Sequence, residues 1–197
     1  IYHEHFSYFS LNTVEKIFLA HGLKIYDVEE LTTHGGSLRI YASHVNNDSR
    51  GVTSEVESIK EKEKEFGLLD SKIYDSFQKK ADAVKNSFLS FLLEQKRMGK
   101  KIVAYGAAAK GNTLLNYCGI KGTDLIEFVV DASPHKQRKY LPGSHIPIVP
   151  EQRISDDKPD IIVVLPWNIK EEITAQLSYV TNWNCQFIVA VPKLELI

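Results

Sequence analysis

Groups that can move protons stand at the beginning of the chain, where Tyr2, His3, Glu4 and His5 follow one another. A histidine titrates near neutral pH and can remove a proton next to a carbonyl group, and a tyrosine hydroxyl can donate to the enolate oxygen that results. The His-x-His spacing also occurs in metal sites, but no third ligand is nearby, so we expect no metal ion here. On composition alone, an aromatic core with a capping glutamate is the better explanation.

A second group lies in a loop that follows an apolar run. The run ends at a glycine, small residues follow, and an amphipathic segment begins, which is typical of a buried parallel strand that turns into a helix able to bind an anion. The match to G-x-G-x-x-G is poor, and a lysine before the last glycine does not make a Walker loop. A pyrophosphate site and a tight structural turn are therefore equally open. The loop comprises Tyr105, Gly106, Ala107, Ala108, Ala109, Lys110, Gly111 and Asn112.

Asp131 ends the next apolar run, at a position where dinucleotide-binding folds place an acid that binds a ribose. The alternative, about equally favoured, is a helix cap or a turn residue ahead of Ser133-Pro134. His135 and Lys136, with Arg138 beyond them, could neutralise phosphates in the following loop or could be solvated.

Trp167 and Asn168 follow the run IIVVLP at its carboxyl end, where open α/β sheets bind ligands. Asn168 is equally a candidate helix N-cap, with Glu171 in the capping-box position, and the cap is the favoured prediction. A cap and a binding role can coexist.

The elements that must position these groups fall into two patterns. Residues 1–44 predict a helix over 11–21, a strand, a turn at Gly35–Gly36 and a second strand, a piece too small to hold a core of its own. A polar linker and charged helices over 54–66 and 70–98 follow, ended by Gly99. From residue 100, strands at 101–105, 126–130, 161–165 and 187–191 alternate with helices at 110–118, 150–154 and 169–180, which predicts an α/β fold with a parallel sheet.

Composition excludes some classes of protein. The formal net charge is -1, so we expect no nucleic-acid partner, and no apolar run is long enough to span a bilayer. The two cysteines, Cys118 and Cys185, are far apart in the sequence and form no C-x-x-C pair. We therefore expect buried thiols in a reducing cytoplasm. Because the chain begins with Ile1 and aromatic residues, we expect it to be the C-terminal piece of a longer protein.

Ordered segments carry a family resemblance: YHEHFSYFS, YGAAAKGNTLLNYC, VVDASPHKQRKYLPGSHIPI and LPWNIKEEI. Together they resemble the sugar C-methyltransferases, which include enzymes that methylate C3 of TDP-4-keto deoxyhexoses. The resemblance implies that residues 1–44 are the closing helix and strand pair of a class I methyltransferase domain, 45–99 a helical linker, and 100–197 a Rossmann-like C-terminal domain. It places zinc, and most of the S-adenosylmethionine site, in a preceding region.

The resemblance also implies a mechanism. His5 would be the general base that removes the C3 proton of a nucleotide-linked 4-keto sugar, while Tyr2 and Glu4 orient that base or stabilise the enolate. The loop of Tyr105–Asn112 would hold the nucleotide diphosphate, TDP being the expected handle. The chain alone is expected not to transfer methyl groups.

Two departures from the family pattern concern the loop after Asp131. Arg138 stands where the family usually has glycine, and Ala132-Ser133 where it often has Arg-Asn. The alternative function is a non-catalytic module that holds a nucleotide, NAD or CoA, or a structural domain without a ligand. The oligomeric state does not follow from the sequence.

Overall fold

The chain divides into two compact units, of which one ends at Gln78 and the other covers Lys79–Ile197. The computed structural model describes residues 6–197, without the side chain of His34.

The first unit is built on an antiparallel hairpin, in which Leu23 lies opposite His44 and Leu31 opposite Ser37. The predicted order of helix, strand, turn and strand is confirmed, and Gly22, with φ 73°, follows the first helix as expected. The elements are α1 (Leu11–Ala20), β1 (Leu23–Leu31), a 3-10 turn (Thr33–Gly35), β2 (Ser37–His44), α2 (Ser54–Glu65) and α3 (Lys72–Asp75).

A small core unites this unit. Leu11 of α1 packs with Ile25 and Val28 of β1, and Val56 and Ile59 of α2 cover the same cluster. Helix α2 therefore supplies apolar surface that the helix and hairpin lack by themselves, although the sequence places α2 beyond residue 44 in the helical linker.

Glu63 of α2 caps the start of α1. Its carboxylate is buried (9% exposed) and accepts the backbone N–H groups of Leu11 and Asn12, the latter at 3.0 Å. The Asn12 side-chain amide donates to the same carboxylate at 2.7 Å. A negative charge at a helix N-terminus satisfies N–H groups without intrahelical acceptors and interacts favourably with the helix dipole.

Helix α4 (Phe77–Arg97) ends before Gly99, which has φ 75°. The helix predicted over 70–98 is thus two helices, because the hydroxyl of Ser76 donates to the carbonyl of Ile73 (3.1 Å) and competes with the helical ladder between α3 and α4. Of the residues described, no helix is long and apolar enough to cross a membrane.

The second unit is a mostly parallel sheet with helices on both faces. Within residues 79–197 its six strands are ordered β5-β4-β3-β6-β7-β8, all neighbours being parallel except β7 and β8. The elements are β3 (Ile102–Tyr105), α5 (Ala109–Tyr117), β4 (Val129–Val130), β5 (Ile148–Val149), α6 (Gln152–Asp157), β6 (Ile161–Val164), a 3-10 turn (Trp167–Ile169), α7 (Lys170–Gln176), a 3-10 helix (Ser178–Trp183), β7 (Gln186–Val189) and β8 (Glu195–Leu196).

This topology confirms the α/β prediction and the four predicted strands, although β4 is shorter than expected. The strands β5 and β8, with two residues each, were not predicted. The helix expected over 169–180 ends at Gln176, because Leu177 leaves helical backbone angles, and continues as the 3-10 helix.

Burial on both faces explains the apolar strands. In β3, Ile102 and Ala104 belong to a core with Phe88 of α4, while Val103 belongs to a separate core with Ile173 of α7. A strand covered on both sides has no polar face, so it appears in the sequence as a continuous apolar run.

Both cysteines are buried free thiols, as predicted. Burial raises the pKa of Cys118 to about 11 and that of Cys185 to about 12. Because the thiolate is the nucleophile, these groups are unreactive at neutral pH.

Candidate functional site

The candidate site begins where β3 ends between its parallel neighbours. Gly106 donates its N–H to the carbonyl of Val130 (2.7 Å), and Tyr105 accepts the N–H of Leu165 (3.0 Å). Gly106 has φ 90°, and a Cβ at this position would collide with the ring of Pro166. Both the backbone conformation and the lack of space therefore require glycine.

Asp131 connects this loop to the loop that follows β4. Its buried carboxylate (8% exposed) accepts the N–H of Ala107 at 2.8 Å, the ammonium group of Lys136 at 3.0 Å and the N–H of Ser133 at 2.9 Å. The bond from Ser133 makes Asp131 a turn residue, which was the alternative to ribose binding. The carboxylate thus holds two loops together at the carboxyl edge of the sheet.

Helix α5 starts at Ala109, and its N-cap Ala108 makes no side-chain cap hydrogen bond. The N–H groups of this first turn have no intrahelical acceptor, and the positive end of the helix dipole lies here. Such a helix start suits an anion.

Two predicted binding residues of α5 have structural roles. A Cβ on Gly111 would lie 2.6 Å from Cβ of Leu165, so glycine allows α5 to lie close to β6. Asn112 accepts two hydrogen bonds from the side chain of Asn116, at 2.9 Å on its backbone carbonyl and 3.1 Å on its side chain. Close helix–strand packing is the role that the last glycine has in dinucleotide-binding loops.

Lys110 is near both residues predicted after β6. Its ammonium group lies 3.4 Å from Oδ1 of Asn168 and 5.3 Å from the ring centroid of Trp167. Cation–π attraction and the amide oxygen hold the charge at the start of α5. The structure therefore brings these three predicted residues together.

The prediction that Asn168 caps the following helix is wrong. Residues Trp167–Ile169 form a 3-10 turn, α7 begins at Lys170, and its N-cap Ile169 makes no side-chain hydrogen bond. The 3-10 turn moves the start of the helix along the chain, so Glu171 does not complete a capping box. The Asn168 side chain is directed to Lys110 instead.

A polar network surrounds the Tyr105 hydroxyl. The hydroxyl donates to Oε2 of Glu151 (3.2 Å), and Nε2 of Gln176 donates to that carboxylate oxygen (2.6 Å) and to the hydroxyl oxygen (3.0 Å). Burial and then the charge of Glu151 raise the pKa of Tyr105 to about 12. The hydroxyl is therefore a neutral hydrogen-bonding group near pH 7.

A cleft of about 310 Å³ lies at the carboxyl ends of β3, β4 and β6. The chain order reverses on the two sides of β3, and open α/β sheets bind ligands at such a switch point. Of the predicted residues, Tyr105, Gly106, Ala108 and Asp131 line the cleft. The remaining lining residues were not predicted from the sequence: Ala132, Pro166, Ile169, Glu172, Ile173 and Gln176.

The missed residues carried a usable signal. Ile169 and Ile173 are four residues apart, and so are Glu172 and Gln176, which is the spacing of neighbours on a helix. A helix that follows a strand at the binding edge presents its first turns to the ligand. The four-residue spacing is visible in the sequence, but the sequence does not show which side of the helix faces the cleft.

Arg138, where the resemblance implies glycine, lies in the loop after Asp131. It has φ 63°, in the left-handed region that favours glycine. A residue with a Cβ is disfavoured there by roughly 1–2 kcal/mol. Lys136 pairs with Asp131, and His135 is exposed.

The predicted catalytic residues Tyr2, Glu4 and His5 lie outside the described residues. Across residues 6–197, no group of three His, Cys, Asp or Glu side chains could hold a metal ion.

Comparisons with known proteins give the following. A family model described as the C-methyltransferase C-terminal domain matches residues 32–192. The C-methyltransferase NovU of Streptomyces niveus is 34% identical over 197 residues, which is 100% of this chain and 46% of that protein. The chain thus spans about half the length of this curated relative.

Proposed function

The chain belongs to the family of C-methyltransferase C-terminal domains, and from that premise we propose that it holds the acceptor, a nucleotide-linked 4-keto sugar, for an S-adenosylmethionine-dependent C-methyltransferase. The observation that carries the proposal is the cleft at the carboxyl ends of β3, β4 and β6, with the start of α5 beside it, where the N-cap Ala108 makes no side-chain hydrogen bond. TDP is the proposed handle of the sugar.

The diphosphate has a suitable position at the first turn of α5. The N–H groups of that turn and the charge of Lys110 favour an anion there. Asp131 accepts three hydrogen bonds from the described residues, and a carboxylate has about four acceptor positions, so a ribose hydroxyl can be added. His135 and Lys136, in the loop after Asp131, would offer N–H donors to the phosphates.

The chemistry is assigned to the first residues of the chain. His5 takes the C3 proton of the sugar, and the electron pair of that C–H bond spreads onto the C4 oxygen as an enolate. Tyr2 donates a hydrogen bond to this oxygen, and Glu4 orients His5. A ketone makes the proton acidic enough for an imidazole base.

S-adenosylmethionine, when bound, supplies an electrophilic methyl group to C3. We assign no residue of this chain to S-adenosylmethionine, because the cleft is proposed for the nucleotide.

Calorimetric titration of the chain with a TDP-4-keto sugar, NAD and CoA tests the binding function. We expect the TDP-sugar to bind most tightly and Lys110→Ala to weaken it about tenfold, while the exposed Lys121→Ala has no effect. A preference for NAD or CoA would support the non-catalytic module. If none of the three binds, a structural domain is the better explanation.

Exchange of the C3 proton tests the base without a methyl donor. Deuterium uptake at C3 of the TDP-4-keto sugar, followed by NMR, should fall at least about 100-fold in His5→Ala. His21→Ala changes an exposed histidine and is the control. Equal uptake by the native chain and His5→Ala would exclude His5 as the base.

A further inference from the structure

Different residues line the parts of the cleft proposed for the diphosphate, the ribose and the base. With a diphosphate at the start of α5 and a ribose at Asp131, the base of the nucleotide takes the remaining space, beside Ile169 and Ile173. The exposed side chain of Ile169 offers apolar surface to a planar ring, while Ile173 is buried behind it in the core. A pocket of this kind uses few polar groups to choose its ligand, and Gln176 is one of them.

The amide of Gln176 has a fixed orientation. The carboxylate of Glu151 only accepts hydrogen bonds, so the amide atom 2.6 Å away must be the nitrogen. That nitrogen also donates to the hydroxyl oxygen of Tyr105 at 3.0 Å, while the hydroxyl gives its own proton to Glu151. Both amide hydrogens are therefore used.

The side-chain carbonyl is the polar atom of Gln176 that this network does not use, and Gln176 is exposed at the cleft, as is Glu172. Because Tyr105 stays protonated up to a pKa of about 12, the network keeps the same donors and acceptors throughout the neutral range. The cleft thus presents an acceptor whose identity cannot be reversed by a simple amide flip.

Building on the function proposed above, we propose that Gln176 selects the base of the nucleotide by accepting the imide N–H of thymine or uracil. Cytosine has nearly the same shape but presents a lone pair at that ring position, so it is rejected by two facing acceptors. Glu151 and Tyr105 are positioning residues, because they act through the amide of Gln176.

Calorimetric titration of the full chain with TDP, N3-methyl-TDP and CDP tests this assignment. The N3-methyl group removes the imide proton, and CDP has a ring lone pair at that position, together with a 4-amino group, no 5-methyl group and a 2′-hydroxyl. Since an unpaired polar group at a ligand site is costly, we expect both to bind at least about tenfold more weakly than TDP.

Three variants test which residue causes the preference for TDP over N3-methyl-TDP and CDP. Gln176→Ala should bind the three diphosphates within about twofold of one another. Glu151→Gln permits the Gln176 amide to turn, so we expect it to keep TDP binding and lose most of the discrimination. Gln152→Ala, which removes an exposed hydrogen bond to Asp156, should retain the native preference.

Each result decides a different point. Equal binding of TDP and CDP by the native chain would overturn base selection and leave the nucleotide site standing. Native discrimination in Gln176→Ala would also overturn it, because another group would then read the base. If no diphosphate binds, both this inference and the proposed function fail.

Discussion

Tyr105 combines a core position with a polar network at the edge of the sheet. The residue is 7% exposed, and its hydroxyl contacts Glu151 and Gln176. Removing a phenol from water and placing a carboxylate beside it both oppose ionisation. The side chain therefore supports packing and hydrogen bonding only in its neutral form.

A pH dependence follows at this residue. The pKa of Tyr105 rises from 10.0 to about 12, so its stabilising contribution is complete below pH 10 and is lost as the pH rises toward 12. We expect the free energy of unfolding to fall less over this range in Tyr105→Phe than in the native chain, as measured by urea denaturation.

Cys118 and Cys185 are present in both the native chain and Tyr105→Phe, so their contribution to the pH dependence cancels when the two free energies of unfolding are compared. Tyr140→Phe changes an exposed tyrosine and should keep the native pH profile. Parallel profiles for the native chain and Tyr105→Phe would contradict the assignment.

At the scale of elements, Glu63 of α2 binds the start of α1, because its carboxylate accepts the N–H of Leu11, which is 52 positions away in the sequence. The contact lies beside the small core of the first unit. It adds to the local cap, in which the Ser10 hydroxyl accepts the N–H of Thr13 (3.2 Å), because the helix itself cannot satisfy the N–H groups of Leu11 and Asn12.

Replacing Glu63 with alanine should lower the free energy of unfolding by about 2 kcal/mol, because buried N–H groups lose a charged acceptor. Glu65→Ala, on the exposed side of the same helix, should change it by less than about 0.5 kcal/mol. Denaturant unfolding of both variants measures the difference. Similar values for the two would show that the cap is unimportant.

Helix α5 and strand β6 depend on Gly111 for their separation. Alanine usually favours a helix over glycine by about 1 kcal/mol, but here its Cβ would lie 2.6 Å from Cβ of Leu165. The steric cost should exceed the gain.

We expect Gly111→Ala to destabilise the chain by about 1–3 kcal/mol. Gly51→Ala is the matched control, since nothing lies within 4 Å of its Cβ position. Thermal unfolding provides the measurement, and an increase in stability for Gly111→Ala would show that the helix can move away.

At the scale of the whole molecule, the groups proposed for nucleotide binding all belong to one of the two compact units. The cleft and the helix start belong to Lys79–Ile197, and the cap at Glu63 belongs to the other unit. The net charge of -1 gives no general attraction for anions, so nucleotide binding must come from local groups.

Ligand-induced stabilisation tests this at the molecular scale. If TDP binds the folded state of the chain and not the unfolded state, a TDP concentration 100 times the dissociation constant should add about 2.7 kcal/mol to the free energy of unfolding. Differential scanning calorimetry should show a melting temperature that rises with TDP concentration. A melting temperature independent of TDP would contradict binding to the native fold.

The sequence could predict the features that arise from neighbouring residues. Apolar runs predicted β3 and β6 because a strand buried on both faces needs no polar side, and Gly22 and Gly99 marked helix ends through their left-handed backbone. The loop from Tyr105 was recognised as a strand-to-helix turn for the same local reason.

It could not predict features that depend on distant neighbours. The strands β5 and β8 have two residues each and exist only because β4 and β7 lie beside them. Asn168 does not cap the following helix. Its side-chain oxygen contacts the ammonium group of Lys110, which is distant in the sequence and is brought close by the fold. The strain at Arg138 is likewise visible only in the backbone.

The sequence by itself determined the alternation of strands and helices, the loop types and, through the ordered motifs, the family resemblance, because periodicity and turn chemistry act over a few residues. Only the tertiary structure decided that Gln176 meets Tyr105 and Glu151, 71 and 25 positions away. The order of strands in the sheet brings such residues together, and no local pattern encodes that distance.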